Sequence, residues 1–187
     1  MNLIIIGAQA SGKMTIGQEI AKQTEMTLFH NHETIDFVLK FMPWSKAATD
    51  LITKIRLDFF ETFAKTGRSM IFTIVINFSD PKEVAFLAAL QSIFAAHDQE
   101  VLFVELETSL EERLRRNRTE NRLKHKPFKR DIAWSENDIL STMDYATFNS
   151  QQAPETLHHY HKINNTDLTA AETAQLIIQK MKPNKEA

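Results

Sequence analysis

The sequence predicts an α/β fold of three layers, a parallel sheet covered by helices on both faces. Two observations predict it. Apolar, β-branched runs alternate with amphipathic helical stretches from end to end, and a helix-wrapped parallel sheet is the economical way to bury both. The chain is also sparing with glycine, four in 187 residues, yet Gly7, Gly12 and Gly17 fall within eleven residues directly after the first apolar run. Glycine so placed marks backbone that must bend or approach closely.

Taken in order, residues 2–6 (NLIII) read as a short buried strand running into a glycine-bounded turn. A helix begins at Gly12, with Ile16, Ile20 and Ala21 on one face and Glu19 and Lys22 charged. MTLFH at 26–30 is the second strand. From Ser45 to Thr66, Leu51, Ile52, Ile55, Phe59, Phe60 and Phe63 recur at helical spacing, with Gly67 as the stop. SMIFTIVINF at 69–78 is continuous and β-branched, as a strand covered on both faces should be. Asp80-Pro81-Lys82-Glu83 opens a helix to about Ala96, because Asp caps, Pro suits the first position and Glu reaches back to the cap amide. EVLFVEL at 100–106 is the fourth strand, and Thr108 with Glu111 starts the next helix. Ser135 opens another over about 136–147. HKIN at 161–164 is a fifth strand, and Thr169 with Glu172 caps a last helix to about Met181. No repeat, low-complexity tract or linker interrupts the pattern, so residues 1–187 read as one domain.

Composition excludes several functions. The chain is 43% hydrophobic and 25% charged, the balance of an ordinary globule. It has no cysteine, which removes disulfide frameworks, thiol nucleophiles and cysteine-based zinc sites. A formal charge of −2 gives no global reason for a nucleic-acid or membrane partner. No apolar run approaches the ~18 residues that span a bilayer, and MNLIIIGAQASGK lacks the basic flank and cleavage site of a signal peptide. A reducing cytoplasm is the expected location.

Gly7-Ala8-Gln9-Ala10-Ser11-Gly12-Lys13 has the G-x4-G-K spacing of a Walker A loop, between an apolar strand and an amphipathic helix. Small side chains let successive backbone N–H groups turn toward an anion, and the helix N-terminus adds partial positive charge. Lys13 supplies a full charge, facing solvent until a ligand arrives. The expected ATP contacts are Gly7, Ala8, Ala10, Ser11, Gly12, Lys13, Met14 and Thr15. Met14 occupies the place where the usual pattern has the Ser or Thr that ligates magnesium, and Thr15 follows it as the candidate metal ligand. Gly17 allows close packing of the helix against the sheet.

The first 35 residues resemble the start of shikimate kinase and its relatives among the small P-loop kinases. The match runs without a gap from Leu3 to Ile35, through G-x4-G-K, T-I-G, I-A-K and a strand ending L-F-H-N-H. The displaced threonine is similar to the G-K-x-T arrangement of nucleoside monophosphate kinases, which hold the metal partly through water. The resemblance implies a P-loop NTPase fold with strand order 2-3-1-4-5, ATP and Mg2+ as cofactors, and phosphoryl transfer to a hydroxyl of a small molecule. It implies a monomer or homodimer.

In shikimate kinases the second strand ends in Asp-x-Asp, one Asp serving magnesium and the other the acceptor hydroxyl. His30 and His32 fall on those positions here. Imidazoles are poor magnesium ligands. His32 is the candidate general base, with Glu33 and Asp36 as alternatives. A two-histidine metal clip lacks a third ligand. The glycine-rich stretch after the third strand and the Arg-Pro-Leu-Leu lid signature are both missing. With Phe37, Phe41, Trp44 and Phe78 nearby, the acceptor is not expected to be shikimate.

Between Glu111 and Arg130 lie nine Lys or Arg residues against three glutamates, a local charge of +6. The resemblance implies that this segment, over about 113–132, is a basic lid, since P-loop kinases carry theirs at this place. The resemblance puts Arg116 near the adenine or phosphates, with Arg115 its rival, and makes Arg122 the transition-state arginine. Phe128 and Trp134 do not alternate with the charges, which argues against an RNA-binding patch. Asn164 to Asp167 occupies the place of the adenine-side loop, and His158, His159 and His161 read as surface residues. Two other functions stay open: a nucleotide-binding regulator without transferase chemistry, and a kinase of a nucleotide or RNA acceptor.

Overall fold

The computed structural model describes residues 1–119 and 131–181. Its elements are β1 (Asn2–Gly7), α1 (Lys13–Gln23), β2 (Thr27–His30), α2 (His32–Leu39), α3 (Lys46–Ala64), β3 (Met70–Ile74), α4 (Pro81–Ala95), β4 (Val101–Glu107), α5 (Leu110–Asn117), α6 (Ile132–Thr142), β5 (Tyr160–Asn164) and α7 (Ala170–Met181).

The strands form one parallel sheet in the order β2-β3-β1-β4-β5, as expected. β1 is the central strand, paired with β3 on one side and β4 on the other. Its six residues are all buried, and alternate side chains feed two cores. Ile4 and Ile6 join Phe72 and Phe103 under Phe60 of α3 and Leu87, Leu90 and Phe94 of α4. Leu3 and Ile5 join Ile71 and Val104 under Ile16 and Ile20 of α1 and Ala174 and Ile177 of α7. These are the three layers. A third, small cluster of Val38, Ala48 and Ile52 fastens α2 to α3.

Four local expectations need correction. β3 stops at Ile74 rather than running to Phe78. Its partners run out: β2 pairs only through His30 to Thr73, and β1 ends where the glycine loop begins. Ile76 and Phe78 still pack on the core, as loop residues. The α5 cap is Ser109, which accepts from the Glu112 amide, one residue beyond the expected Thr108. Thr108 instead donates to the Asn165 side chain at 2.6 Å. α6 opens at Asp131, whose carboxylate accepts from the Trp134 amide, and it ends at Thr142. Ser135 is buried and donates to Asn117 Oδ1 at 2.9 Å, which ties α6 to α5. Finally, α2 was not anticipated: eight residues are too few for a clear period, and the helix begins inside the histidine motif.

The cap at Thr169 with Glu172 forms as expected. Asp80 also caps α4, accepting from the Lys82 amide, but Glu83 reaches past the cap to the Asn77 amide at 2.7 Å, because the Asp80 amide already donates to the Asn77 carbonyl. Gly17 meets its requirement too, since a Cβ there would lie 2.8 Å from Leu28 Cδ1.

Candidate functional site

β1 delivers its chain to the carboxyl end of the sheet beside a switch in strand order, the place where open α/β sheets bind ligands. The Gly7–Lys13 loop turns there. Gly12 takes φ +94 and Ala10 φ 61, so two residues adopt left-handed backbone to close the turn. Gly7 is confined as well, because a Cβ would approach Ser11 Oγ to 2.7 Å.

The loop carbonyls are held from outside. Arg116 Nη1 and Asn165 Nδ2 each donate to the Ser11 carbonyl at 3.0 Å. Arg113 Nε donates to the Gln9 carbonyl at 2.8 Å. The Lys13 ammonium donates to the carbonyls of Gly7 at 2.6 Å and Ala8 at 2.7 Å. Lys13 is therefore buried against its own loop, not facing solvent as the sequence suggested. Meanwhile Gly12, the N-cap of α1, offers no side-chain acceptor, and the first turn holds no acid. The first-turn amides of a helix have no intrahelical acceptor, so this N-terminus is set up for an external anion.

A cavity of about 560 Å³ opens over that N-terminus. One wall is residues 10–16, with Met14 and Thr15 half-buried. The opposite wall is residues 165–170 together with Arg115, Arg116 and Thr119. Arg116 also braces this second wall, its Nη2 donating to the Asn165 carbonyl at 2.7 Å. Its Nε pairs with Glu112 at 2.6 Å. Hydrogen bonds from Arg115 and Arg116 hold the Glu112 carboxyl down at about 2. Arg115 itself is exposed. Of the two rival arginines, Arg116 joins both walls.

His30 lines the same cavity; His32 does not. His32 starts α2, stacks on His30 with ring centroids 5.2 Å apart, and has Nδ1 3.5 Å from Asp36 Oδ1. Glu33 accepts from the His30 amide at 3.1 Å, so its carboxylate is occupied as a cap. Phe37, Phe41 and Trp44 are exposed and lie outside the cavity wall.

No family model and no curated protein matches the chain. Solved structures do. A sugar kinase from Janibacter sp. superposes with a TM-score of 0.61 at 13% identity, over 96% of this chain and 93% of that one. APS kinase from Mycobacterium tuberculosis, in complex with AMPPNP and APS, gives 0.58 at 12% identity, over 97% and 98%. Shikimate kinase from Acinetobacter baumannii, in complex with shikimate, gives 0.56 at 17% identity, over 100% and 95%. The fold is that of the P-loop kinases.

In P-loop terms, the residues expected from Ala10 to Thr15 all border one cavity, and Arg116 joins them from α5. Arg122 and most of the basic segment lie outside the described residues. Two participants, Arg113 and Arg56, had no role of their own in the sequence reading, and Asn165 entered it only within the Asn164–Asp167 loop. Asn165 is fully buried and holds the P-loop carbonyl from the β5–α7 connection. Arg113 was counted only as one of nine basic residues. Arg56, buried on α3, donates to Thr34 Oγ1 and the Asn31 carbonyl, both at 2.8 Å, and so fixes the β2–α2 corner that carries the histidines. Burial lowers its guanidinium to about 10. Its position in an apolar helical stretch was the available signal. Among the described residues no helix is long and apolar enough to cross a membrane.

Proposed function

We propose that this protein is an ATP-dependent phosphotransferase that moves the γ-phosphoryl group to a hydroxyl of a small molecule other than shikimate. The observation that carries the reading is the α1 N-terminus, left without a cap of its own and facing a cavity beside Lys13. An anion is what that combination of partial and full positive charge binds best. That similar folds occur in a sugar kinase, an APS kinase and a shikimate kinase supports the direction and leaves the acceptor open.

On this reading the amides from Gly7 to Thr15 and the Lys13 ammonium hold the phosphates. Arg116 keeps the nucleoside wall against the loop, and Arg122 neutralises charge on the moving phosphoryl group. His32 meets the acceptor hydroxyl and takes its proton, with Asp36 orienting the imidazole. Glu33 and Asp36 are the alternative bases. The Thr15 hydroxyl is a hard donor in the cavity wall, and the described residues offer no cluster of three His, Asp or Glu. One hydroxyl with phosphate oxygens and water suits magnesium, whose charge would neutralise the phosphates when bound.

A nucleotide-binding regulator is the second reading, favoured by histidines where the resemblance expects two carboxylates. A phosphotransfer screen over hydroxylated metabolites with magnesium-ATP separates the two. Acceptor-dependent ADP release supports the kinase; tight nucleotide binding with no acceptor raising turnover supports the regulator.

A further inference from the structure

Arg113 is 5% exposed and sits behind the P-loop. Its Nε donates to the Gln9 carbonyl at 2.8 Å and its Nη2 to Gln9 Oε1 at 3.3 Å, while Nη1 lies 3.9 Å from Met143 Sδ. Gln9 is tied on its other side to α6, donating from Nε2 to Thr142 Oγ1 at 3.2 Å. Among the described residues no carboxylate pairs with Arg113. Burial lowers its pKa accordingly. Arg116, three positions along the same helix, differs: it grips the Ser11 carbonyl but is compensated by Glu112.

Two arginines of α5 thus hold the loop at residues 9 and 11, and among the described residues Arg116 has a carboxylate partner while Arg113 has none. A desolvated cation without a counter-ion is costly. An incoming anion offsets that cost. The end of the loop it would reach can be read from the walls. Ser11 is bound by Asn165 and Arg116, which form the side where the nucleoside lies on the proposed reading. Gln9 stands two residues before it, fastened to α6, which contributes nothing to the cavity wall.

We propose that Arg113 is a positioning residue for the terminal phosphate: it orients the Gln9 end of the P-loop and sets preference for a nucleoside triphosphate over a diphosphate. This rests on the nucleotide-binding reading above. Removing the charge weakens what the third phosphate gains and leaves the first two nearly untouched, because those sit against Lys13 and the α1 amides.

The test is calorimetric binding of AMPPNP and ADP, each with magnesium, to wild type and to Arg113→Gln and Arg113→Lys. Arg113→Gln should weaken AMPPNP about tenfold, the scale of one charge-assisted hydrogen bond, and change ADP less than about twofold. Arg113→Lys keeps the charge and should keep most of the AMPPNP preference. Arg113→Met reads the same loss of charge if the glutamine variant fails to fold. Equal losses for both nucleotides would reduce Arg113 to a structural brace, and unchanged binding would remove it from the site; either result overturns the proposal. Wild-type protein that binds neither nucleotide would instead overturn the reading beneath it.

Discussion

His30 and Thr73 face each other across the β2–β3 ladder, and His30 Nδ1 lies 2.6 Å from the Thr73 hydroxyl. That contact fixes the ring at the sheet's end, where it lines the cavity over the α1 N-terminus and stacks with His32. The two histidines therefore occupy separable places, one in the cavity wall and one outside it.

If His32 meets the acceptor, His32→Asn should lower turnover by the ~10²–10⁴ typical of a lost general base. Nucleotide affinity should stay within about twofold, since His32 does not line the cavity. Steady-state kinetics on the acceptor found by the screen, with a separate binding titration, reads both. Turnover that survives in His32→Asn but collapses in His30→Asn would transfer the acceptor contact to the cavity-lining ring.

Glu112 gives a pH dependence with a definite sign. Hydrogen bonds from Arg115 and Arg116 depress its folded pKa from 4.5 to about 2. A depressed carboxylate stabilises the fold fully above the unfolded value, and that contribution is lost as pH falls from about 4.5 toward 2. Urea unfolding at pH 6 and at pH 3 should therefore show a smaller acid penalty in Glu112→Gln than in wild type. An identical penalty in both proteins would mean that the pair with Arg116 is broken in solution.

The sheet was legible because its signals are local and redundant. β1, β3 and β4 are apolar runs that need no partner to be recognised, and the loop announces itself through glycine spacing. What escaped was set by tertiary contact. The end of β3 depends on where β2 and β1 stop pairing, and the α6 start depends on Ser135 being taken by Asn117. Arg113 and Arg116 look alike in sequence; only the fold shows that each grips a different loop carbonyl. The Lys13 conformation is likewise invisible before the loop has closed around it.

Glu105 was missed for the same reason. It reads as one polar residue in an apolar strand, yet it is fully buried and accepts from the Ser150 amide at 2.9 Å, the Ser150 hydroxyl at 2.5 Å, Asn149 Nδ2 at 3.0 Å and the Tyr160 hydroxyl. The carboxylate thereby anchors the α6–β5 connection to β4, and burial beside it pushes the Tyr160 phenol well up. Glu105→Ala would strand these donors and should cost about 3–5 kcal/mol in urea unfolding. A loss below ~1 kcal/mol would show that water replaces the carboxylate and that the connection holds itself.

Lys13 is where the loop's own hydrogen bonds and the proposed chemistry meet. Its ammonium donates to Gly7 O, Ala8 O and, at 3.4 Å, Ser11 Oγ, so it stabilises the loop by satisfying those acceptors. Phosphate oxygens must draw it off those partners. Lys13→Met should accordingly do two things. Nucleotide affinity should fall by about 10–100-fold, the scale of one or two charge-assisted hydrogen bonds. Stability without ligand should also fall, by about 1–3 kcal/mol, because two buried carbonyls lose their donor. Calorimetric titration with magnesium-ATP and urea unfolding of the free protein measure the two effects independently. Loss of stability with wild-type affinity would make Lys13 a brace of the loop and nothing more, and the phosphates would then have to be held elsewhere in the chain.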